Sequence, residues 1–313
     1  MNKVLIADSV SSAVSEVFDK NGIAYDTKIG LSEDELATEI TEYSGLIVRS
    51  AVTVTEKIIN SAINLKVIGR PGVGVDNVDL KAATNNGIVV MNTPLGNVQA
   101  TAELTFGIMH SLMRKISNAN QSMHQKKWEK KKFIGNEMYG KTIGIIGFGN
   151  IGKKVSQIAH AYGMNVLVYS ASISPEDEKK FNVTNQSIDD ILEGADIITF
   201  HNKLSENSKY LINSNAITKM KKNAIIINCA RGGLVNEKDI KEALEKGNIA
   251  GYGCDVYENE PEQDSIFSSI DNVVMTPHIG ASTIEAQEKV AYQIAEQIVE
   301  FLKNNKIINQ VNK

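Results

Sequence analysis

Two α/β domains, each a parallel sheet wound with helices on both faces, are what this sequence predicts, and three observations carry that prediction. The chain has 313 residues, more than one hydrophobic core usually organises. Short β-branched runs alternate with helical stretches nearly throughout, which is the rhythm of βαβ units. One of those runs ends in a glycine turn of the form GxGxxG and continues into a helix and a second strand.

The first block of strands reads as Val4 to Ala7, Leu46 to Val48, Val67-Ile68 and Ile88 to Met91. The breaker-rich stretch Asn92-Thr93-Pro94-Leu95-Gly96-Asn97 then precedes a long helix over Val98 to Arg114. The rhythm resumes with Thr142 to Ile146, Val166 to Tyr169, Ile197 to Phe200, Ala224 to Asn228 and Val273-Val274. Ser282-Thr283-Ile284-Glu285 has the form of a capping box. The helix it opens carries Val290, Ile294, Ile298 and Phe301 as one apolar stripe, so it packs one face and does not span a membrane.

Composition narrows the class. Hydrophobic residues at 42% and charged residues at 22% describe an ordinary globular chain. A net charge of −4 provides no global positive field for nucleic acid or an anionic membrane surface. Met1 to Asp8 is too short and too polar for a signal peptide, and no run reaches the length of a membrane span. Cys229 and Cys254 sit among strand-like neighbours and read as buried reduced thiols, which points to the cytoplasm. Lys126 to Lys132, the one charge cluster, reads as a solvated face. No metal-ligand set is assigned.

Gly147-Phe148-Gly149-Asn150-Ile151-Gly152 follows the strand Ile143 to Ile146, opens a helix running to about Tyr162, and is followed by the strand ending at Tyr169. In that context Gly147 permits the tight turn, Gly149 leaves room for a pyrophosphate, and Gly152 lets the helix approach the strand. The amides at the helix start then hold the phosphates, which predicts a dinucleotide cofactor. An acid normally follows the second strand to hold the ribose hydroxyls, but Ser170 stands here. Glu176 and Asp177 follow Pro175 in what reads as a loop.

Of five histidines, His110, His124 and His160 lie in helical or polar contexts, and His201 ends a strand. His278 lies in Thr276-Pro277-His278-Ile279-Gly280-Ala281-Ser282, a loop between a strand and the last helix. Its residues alone leave it open between a packed loop histidine and an acid–base group. Four segments together closely resemble the D-2-hydroxyacid dehydrogenases, and within them the phosphoglycerate dehydrogenase branch. They are Asn228-Cys229-Ala230-Arg231-Gly232-Gly233, Asp255-Val256-Tyr257-Glu258-Asn259-Glu260-Pro261, Pro277-His278-Ile279-Gly280-Ala281-Ser282-Thr283 and Gly72-Val73-Gly74-Val75-Asp76-Asn77-Val78-Asp79.

The resemblance implies a Rossmann cofactor domain, 97–281, inserted into a flavodoxin-like substrate domain formed by 1–96 and 282–313, with the active site in the cleft between them. It places the catalytic set on Arg231, Glu260 and His278. His278 serves as the base for the hydroxyl proton, Glu260 pairs with its imidazolium, and Arg231 offers a planar fork to the carboxylate. Substrate contacts are implied at Arg49, Arg70, Val73, Gly74 and Asn97, with the two arginines on a phosphate. Lys130, in an arm reaching a partner subunit, stands where relatives carry Arg. Cofactor contacts are implied at Gly147, Gly149, Asn150, Ile151, Gly152, Ser170, Asn202, Cys229, Ala230, Arg231, Asp255, His278, Gly280 and Ala281.

The activity implied is NAD-dependent oxidation of D-3-phosphoglycerate to 3-phosphohydroxypyruvate, in serine biosynthesis, by a homodimer joined through the cofactor domain. Ser170 and Lys203 point to some tolerance of NADP. Longer members append serine-binding regulatory domains, and the absence of residues beyond Lys313 predicts no feedback by that route. Glyoxylate or hydroxypyruvate reduction is the alternative enzymatic reading, against which Arg49 and Arg70 argue. A dinucleotide-sensing corepressor is the non-enzymatic one.

Overall fold

The computed structural model describes residues 2–312. They fall into two compact units, the first running to Asn97 and resuming at Ala281, the second Val98–Gly280.

The first unit is built on a five-stranded parallel sheet: β1 Lys3–Ile6, β2 Ala24–Thr27, β3 Gly45–Ile47, β4 Val67–Arg70 and β5 Val89–Asn92, in the order β2-β1-β3-β4-β5. That is the flavodoxin-like doubly wound order. Both faces of the central strands are covered, which is why they read as unbroken apolar runs. One face packs Leu5, Leu46, Ile68 and Val90 under the Glu33–Glu39 and Glu56–Ser61 helices. The other packs Val4, Ile6, Ile47 and Val67 against the Ala13–Asn21 helix and the C-terminal helix, Ile284–Asn304. Ile294 and Ile298 of that helix are fully buried, each contributing about 1.5–3 kcal/mol.

Two features here differ from the expectation or were not foreseen. The C-terminal helix is capped by Thr283, whose hydroxyl accepts from the Ala286 amide at 3.1 Å, so the Ser282–Glu285 capping box is not the device that starts it. Ser282 and Thr283 both offer a hydroxyl, and the chain enters the helix one residue later than the box pattern required. Strand β2 was also not foreseen: its residues, Ala-Tyr-Asp-Thr, are partly exposed and lack the apolar run of a central strand. At the opposite edge the chain end returns: Val311 donates to the Val90 carbonyl at 2.9 Å, and the Asn312 side chain accepts from the Val90 amide at 2.8 Å. This segment covers the edge that β5 would otherwise leave open.

The second unit carries β6 Thr142–Ile146, β7 Asn165–Tyr169, β8 Ile197–Phe200, β9 Ile225–Asn228, β10 Gly251–Cys254 and β11 Val273–Met275, all parallel, in the order β11-β10-β9-β8-β6-β7. Beyond β7 the next strand is reduced to a single parallel bridge between Val168 and Asn185. Counting that bridge as the third strand gives the Rossmann order 3-2-1-4-5-6, with β11 as a seventh strand at the far edge. The helix Val98–Arg114 forms over the residues expected of it and packs on one face with Asn150–Ala161, burying Phe106, Met109, Val155 and Ala159. The other face closes around Ile198, Phe200, Ile226, Tyr252 and Phe267.

Glu176 and Asp177, expected in a loop after Pro175, lie instead in a helix, Pro175–Phe181. Pro175 occupies the first turn, where its missing N–H costs nothing, and the Ser174 hydroxyl accepts from the Asp177 amide at 3.1 Å.

Candidate active site

In the second unit every implied contact from Gly147 to Gly280 follows the carboxyl end of one of the parallel strands or opens the helix there, the edge at which open α/β sheets bind ligands. Gly147 follows β6 with φ 99° and donates its amide to the Tyr169 carbonyl at the end of β7, at 2.8 Å. A side chain on Gly147 would run into the backbone of His201 and Asn202, beyond β8, and one on Gly152 would overlap the Gly147 carbonyl. Gly149, by contrast, faces open space and has no side chain to occupy the first amides of the Asn150–Ala161 helix. The turn is therefore closed where the protein packs and open where a pyrophosphate would lie. Asn202 and His201 each keep a buried side-chain atom, Oδ1 and Nδ1, without a hydrogen-bond partner among the described residues. Burial holds His201 neutral, with its pKa down at about 3. An open cradle beside unsatisfied buried polar atoms fits a dinucleotide.

Ser170, half-buried, is fixed through its backbone. Its amide donates to Asn185 Oδ1 at 3.0 Å and its carbonyl accepts from Asn185 Nδ2 at 3.2 Å. Ile151 is half-buried and Asn150 exposed on the first helical turn. Lys203 is exposed beyond β8.

Beyond β9, Cys229 and Ala230 are buried and lead to Arg231. The fully buried Asn228 braces this turn: Nδ2 donates to the Arg231 carbonyl at 2.9 Å and Oδ1 accepts from the Ala230 amide at 3.1 Å. Burial pushes the Cys229 thiol up to about 12, so it is no nucleophile.

The loop carrying His278 is held by Asp255, at the end of β10. One carboxylate oxygen accepts from the Thr276 hydroxyl and the Ile279 amide, each at 2.7 Å, and the other from the Gly280 amide at 2.7 Å. Asp255 is 1% exposed, and burial raises its pKa even though these three donors and His278 act to lower it. The Tyr257 hydroxyl donates to the Thr276 carbonyl at 3.0 Å, and the Thr101 hydroxyl donates to the Gly280 carbonyl at 3.1 Å. Within this clamp His278 adopts a left-handed φ of 53°, uncommon for a side chain other than glycine or asparagine.

His278 Nδ1 meets Glu260 Oε2 at 2.6 Å, while Glu260 Oε1 accepts from the Tyr257 amide at 3.0 Å. Burial works to raise the Glu260 carboxyl. The hydrogen bond and charge of His278, the Tyr257 amide and the Arg231 charge outweigh it, so the group lies below the ordinary carboxylate range.

In the first unit Arg49 follows β3 and Arg70 ends the neighbouring β4. The backbone of the Arg49 loop is pinned by the buried Asp8, which accepts from the Arg49 and Ala51 amides at 2.9 and 3.0 Å. The Arg49 guanidinium lies within 3.3–3.4 Å of the Ser9 carbonyl and Gln287 Oε1. That of Arg70 lies against Gly72, where a Cβ would overlap it. Asn92 Nδ2 holds the Val73 carbonyl at 2.6 Å, and Gly74 and Asn97 are half-buried, Asn97 Oδ1 without a partner among the described residues. Ala281 opens the C-terminal part of this unit. Lys130, in the second unit, lies on an exposed turn, Lys130–Phe133.

Asp8 and Asn185 position these groups and were not singled out in the sequence, and Asn228 was named only within its segment. A polar residue after an apolar strand is the only local sign that Asp8 gives, and Asn185 gives none. Among the described residues no cluster of His, Cys, Asp and Glu could hold a metal ion, and no helix is long and apolar enough to cross a membrane.

Residues 106–280 match the family described as D-isomer specific 2-hydroxyacid dehydrogenase, NAD binding domain. The whole chain is 42% identical to the D-3-phosphoglycerate dehydrogenase of Bacillus subtilis (strain 168) and spans 59% of that relative's length. Among solved structures it is similar to a protein of Thermus thermophilus, with a TM-score of 0.91, 30% identity and 99% of each chain covered. It is also similar to the NAD+-bound 3-phosphoglycerate dehydrogenase of Entamoeba histolytica, with a TM-score of 0.84, 28% identity, 100% of this chain and 99% of the other covered.

Proposed function

This chain belongs to the D-isomer specific 2-hydroxyacid dehydrogenase family, and from that membership we propose that it oxidises D-3-phosphoglycerate to 3-phosphohydroxypyruvate with NAD. The observation that carries the reading is the Glu260–His278 pair, 2.6 Å apart, on the same sheet edge as the open glycine turn.

Oxidising a secondary alcohol removes a hydroxyl proton and, from the same carbon, a hydride. NAD, held at the turn of Gly147, Gly149 and Gly152, would supply the hydride acceptor. The protein's task is the proton and the orientation. Nδ1 of His278 is committed to Glu260, which leaves Nε2 to take the hydroxyl proton, and the anionic Glu260 stabilises the imidazolium that results. Arg231, beside the pair, offers a planar fork to the substrate carboxylate and the reacting oxygen. Gly147, Gly149, Asn150, Ile151 and Gly152 would hold the pyrophosphate, Ser170 the ribose, and Asn202, Cys229, Ala230, Asp255, Gly280 and Ala281 the rest of the dinucleotide.

In the first unit we assign the substrate phosphate to Arg49 and Arg70, and the carboxylate to the amides of Val73 and Gly74 with Asn97. Lys130 adds positive charge to the phosphate from a partner subunit. A homodimer through the second unit is supported by the large apolar side chains exposed there at Trp128, Ile134 and Tyr139. Work in the cytoplasm is supported by two buried, unpaired cysteines, Cys229 and Cys254.

The test is kcat/KM for 3-phosphoglycerate, glycerate and lactate with NAD, and for hydroxypyruvate and glyoxylate in the reverse direction. We expect 3-phosphoglycerate to lead the unphosphorylated acids by at least about 100-fold, as two charge-assisted contacts to phosphate of about 10- to 100-fold each imply. Equal use of glycerate, or preferred reduction of glyoxylate or hydroxypyruvate, would overturn the assignment.

A further inference from the structure

We propose that Ser170 makes the dinucleotide site of this chain tolerant of a 2′-phosphate, so that it binds NADP with an affinity close to that for NAD. The inference rests on the cofactor reading above and concerns which dinucleotide that site admits.

A site that selects NAD does so at the end of the second strand, about 20 residues past the glycine turn, with a carboxylate that accepts from the ribose hydroxyls and repels a phosphate. Here that place is taken by Ser170, immediately after β7, and the connection to the glycine turn is direct: the residue before it, Tyr169, accepts the Gly147 amide at 2.8 Å. Asn185 holds Ser170 by both amide and carbonyl, at 3.0 and 3.2 Å, so the position belongs to the rigid strand end and not to a swinging loop. The Ser170 hydroxyl oxygen accepts from the Ser172 amide at 3.4 Å, which leaves its proton to donate. A hydroxyl proton can serve a ribose oxygen or a phosphate oxygen equally. A carboxylate can serve only the first.

Two of the three acids nearest in sequence are engaged elsewhere. Asp177 is paired with Lys153 at 2.7 Å, and Glu178 accepts from the Asn185 amide at 2.6 Å, each on the Pro175–Phe181 helix. Glu176 sits on the exposed first turn of that helix. Of the lysines that follow the glycine turn, β7 or β8, Lys153 is neutralised by Asp177 and Lys180 lies over the Phe181 ring at 5.6 Å, while Lys179 and Lys203 are exposed. The four arginines of the chain are Arg49, Arg70, Arg114 and Arg231, none of them in the segment from β7 to Asn185. With neither a carboxylate to exclude the 2′-phosphate nor an arginine to clamp it, the expected outcome is near parity and not a reversal to NADP.

The measurement is calorimetric titration of the full chain with NADH and NADPH, read as the ratio of the two dissociation constants. We expect NADPH to bind no more than about 5-fold more weakly than NADH, about the size of one ordinary hydrogen bond, and Ser170→Asp to raise that ratio by at least about 10-fold, the size of one charge-assisted hydrogen bond. Ser170→Asn, similar in size but neutral, should leave the ratio within about 3-fold of the parent, a margin below one ordinary hydrogen bond. A larger parent ratio overturns the proposal, and if Glu176→Gln then lowers it, Glu176 is the acid that replaces the missing one. An unchanged ratio in Ser170→Asp overturns it as well. If neither dinucleotide binds, the cofactor reading itself fails; if NADH binds and NADPH does not, only this inference does.

Discussion

The clamp around His278 makes Asp255→Asn the most informative single change. Asparagine keeps the volume of aspartate but exchanges one acceptor oxygen for a donor. With its carbonyl placed towards Thr276 and Ile279, the new NH2 group confronts the Gly280 amide, so a 2.7 Å hydrogen bond becomes a contact between two donors. Leaving that buried amide unsatisfied costs about 1–3 kcal/mol, and the two bonds that survive lose their ionic character, about 0.5–1.5 kcal/mol each. Against this, a charge whose burial raises its pKa is removed, which returns part of the loss. The net expectation is a destabilisation of about 2–4 kcal/mol, felt first in the loop that holds His278 at φ 53°. A displacement of about 1 Å in an acid–base group can lower turnover about 100-fold, so kcat should fall steeply while KM for the acid changes little. Thr276→Val, which removes only the hydroxyl bond, should fall between the variant and the parent. Denaturant unfolding and steady-state kinetics on the three proteins read both quantities. Parental kcat in Asp255→Asn would refute a positioning role, and a loss confined to cofactor affinity would show that Asp255 acts on the dinucleotide alone.

What could be read in the sequence follows from how far apart the interacting residues lie. Runs such as Ile225-Ile226-Ile227 are legible because both faces of a parallel sheet are covered, so burial needs no partner to be known in advance. The edge strand Ala24–Thr27 and the single bridge at Asn185 bury little, and their pairing is imposed by neighbours, so no local pattern announces them. The helix Pro175–Phe181 does carry a local signal, Pro175 at its first position and Ser174 as its cap. In the site, Gly147, Gly149 and Gly152 declare their geometry because the requirement is on their own backbone. The residues that hold the functional loops do not. Asp8 meets the Arg49 loop across 41 positions, and Asp255 meets Gly280 across 25. Nothing in an aspartate after an apolar strand says which distant amides it will accept from.

Three further expectations follow from the same geometry. His278→Ala should lower kcat by about 100-fold or more and leave the dissociation constant for NADH within a few-fold, as loss of a general acid–base group implies; parental turnover would remove His278 from the chemistry. Glu260 lies below its ordinary pKa of 4.5, so it adds stability above that pH and the contribution is lost as pH falls through its depressed folded value. Unfolding free energies of the parent and Glu260→Gln should therefore differ at pH 7 and converge as pH falls below the depressed pKa of the folded carboxyl, and a gap unchanged as the carboxyl protonates would rule out the pair as its source. Arg70→Ala tests the phosphate assignment. Its guanidinium lies against Gly72, where no side chain competes for the space, at the carboxyl end of β4. If that group meets the substrate phosphate, its loss removes a charge-assisted hydrogen bond of about 1.5–3 kcal/mol, or about 10- to 100-fold in kcat/KM, from the phosphorylated acid alone. Glycerate, which has no phosphate, should be used by the variant as by the parent. Equal losses on the two acids would instead mean that Arg70 serves the carboxylate or the loop over residues 71–74, and the phosphate would have to be sought at Arg49 and Lys130.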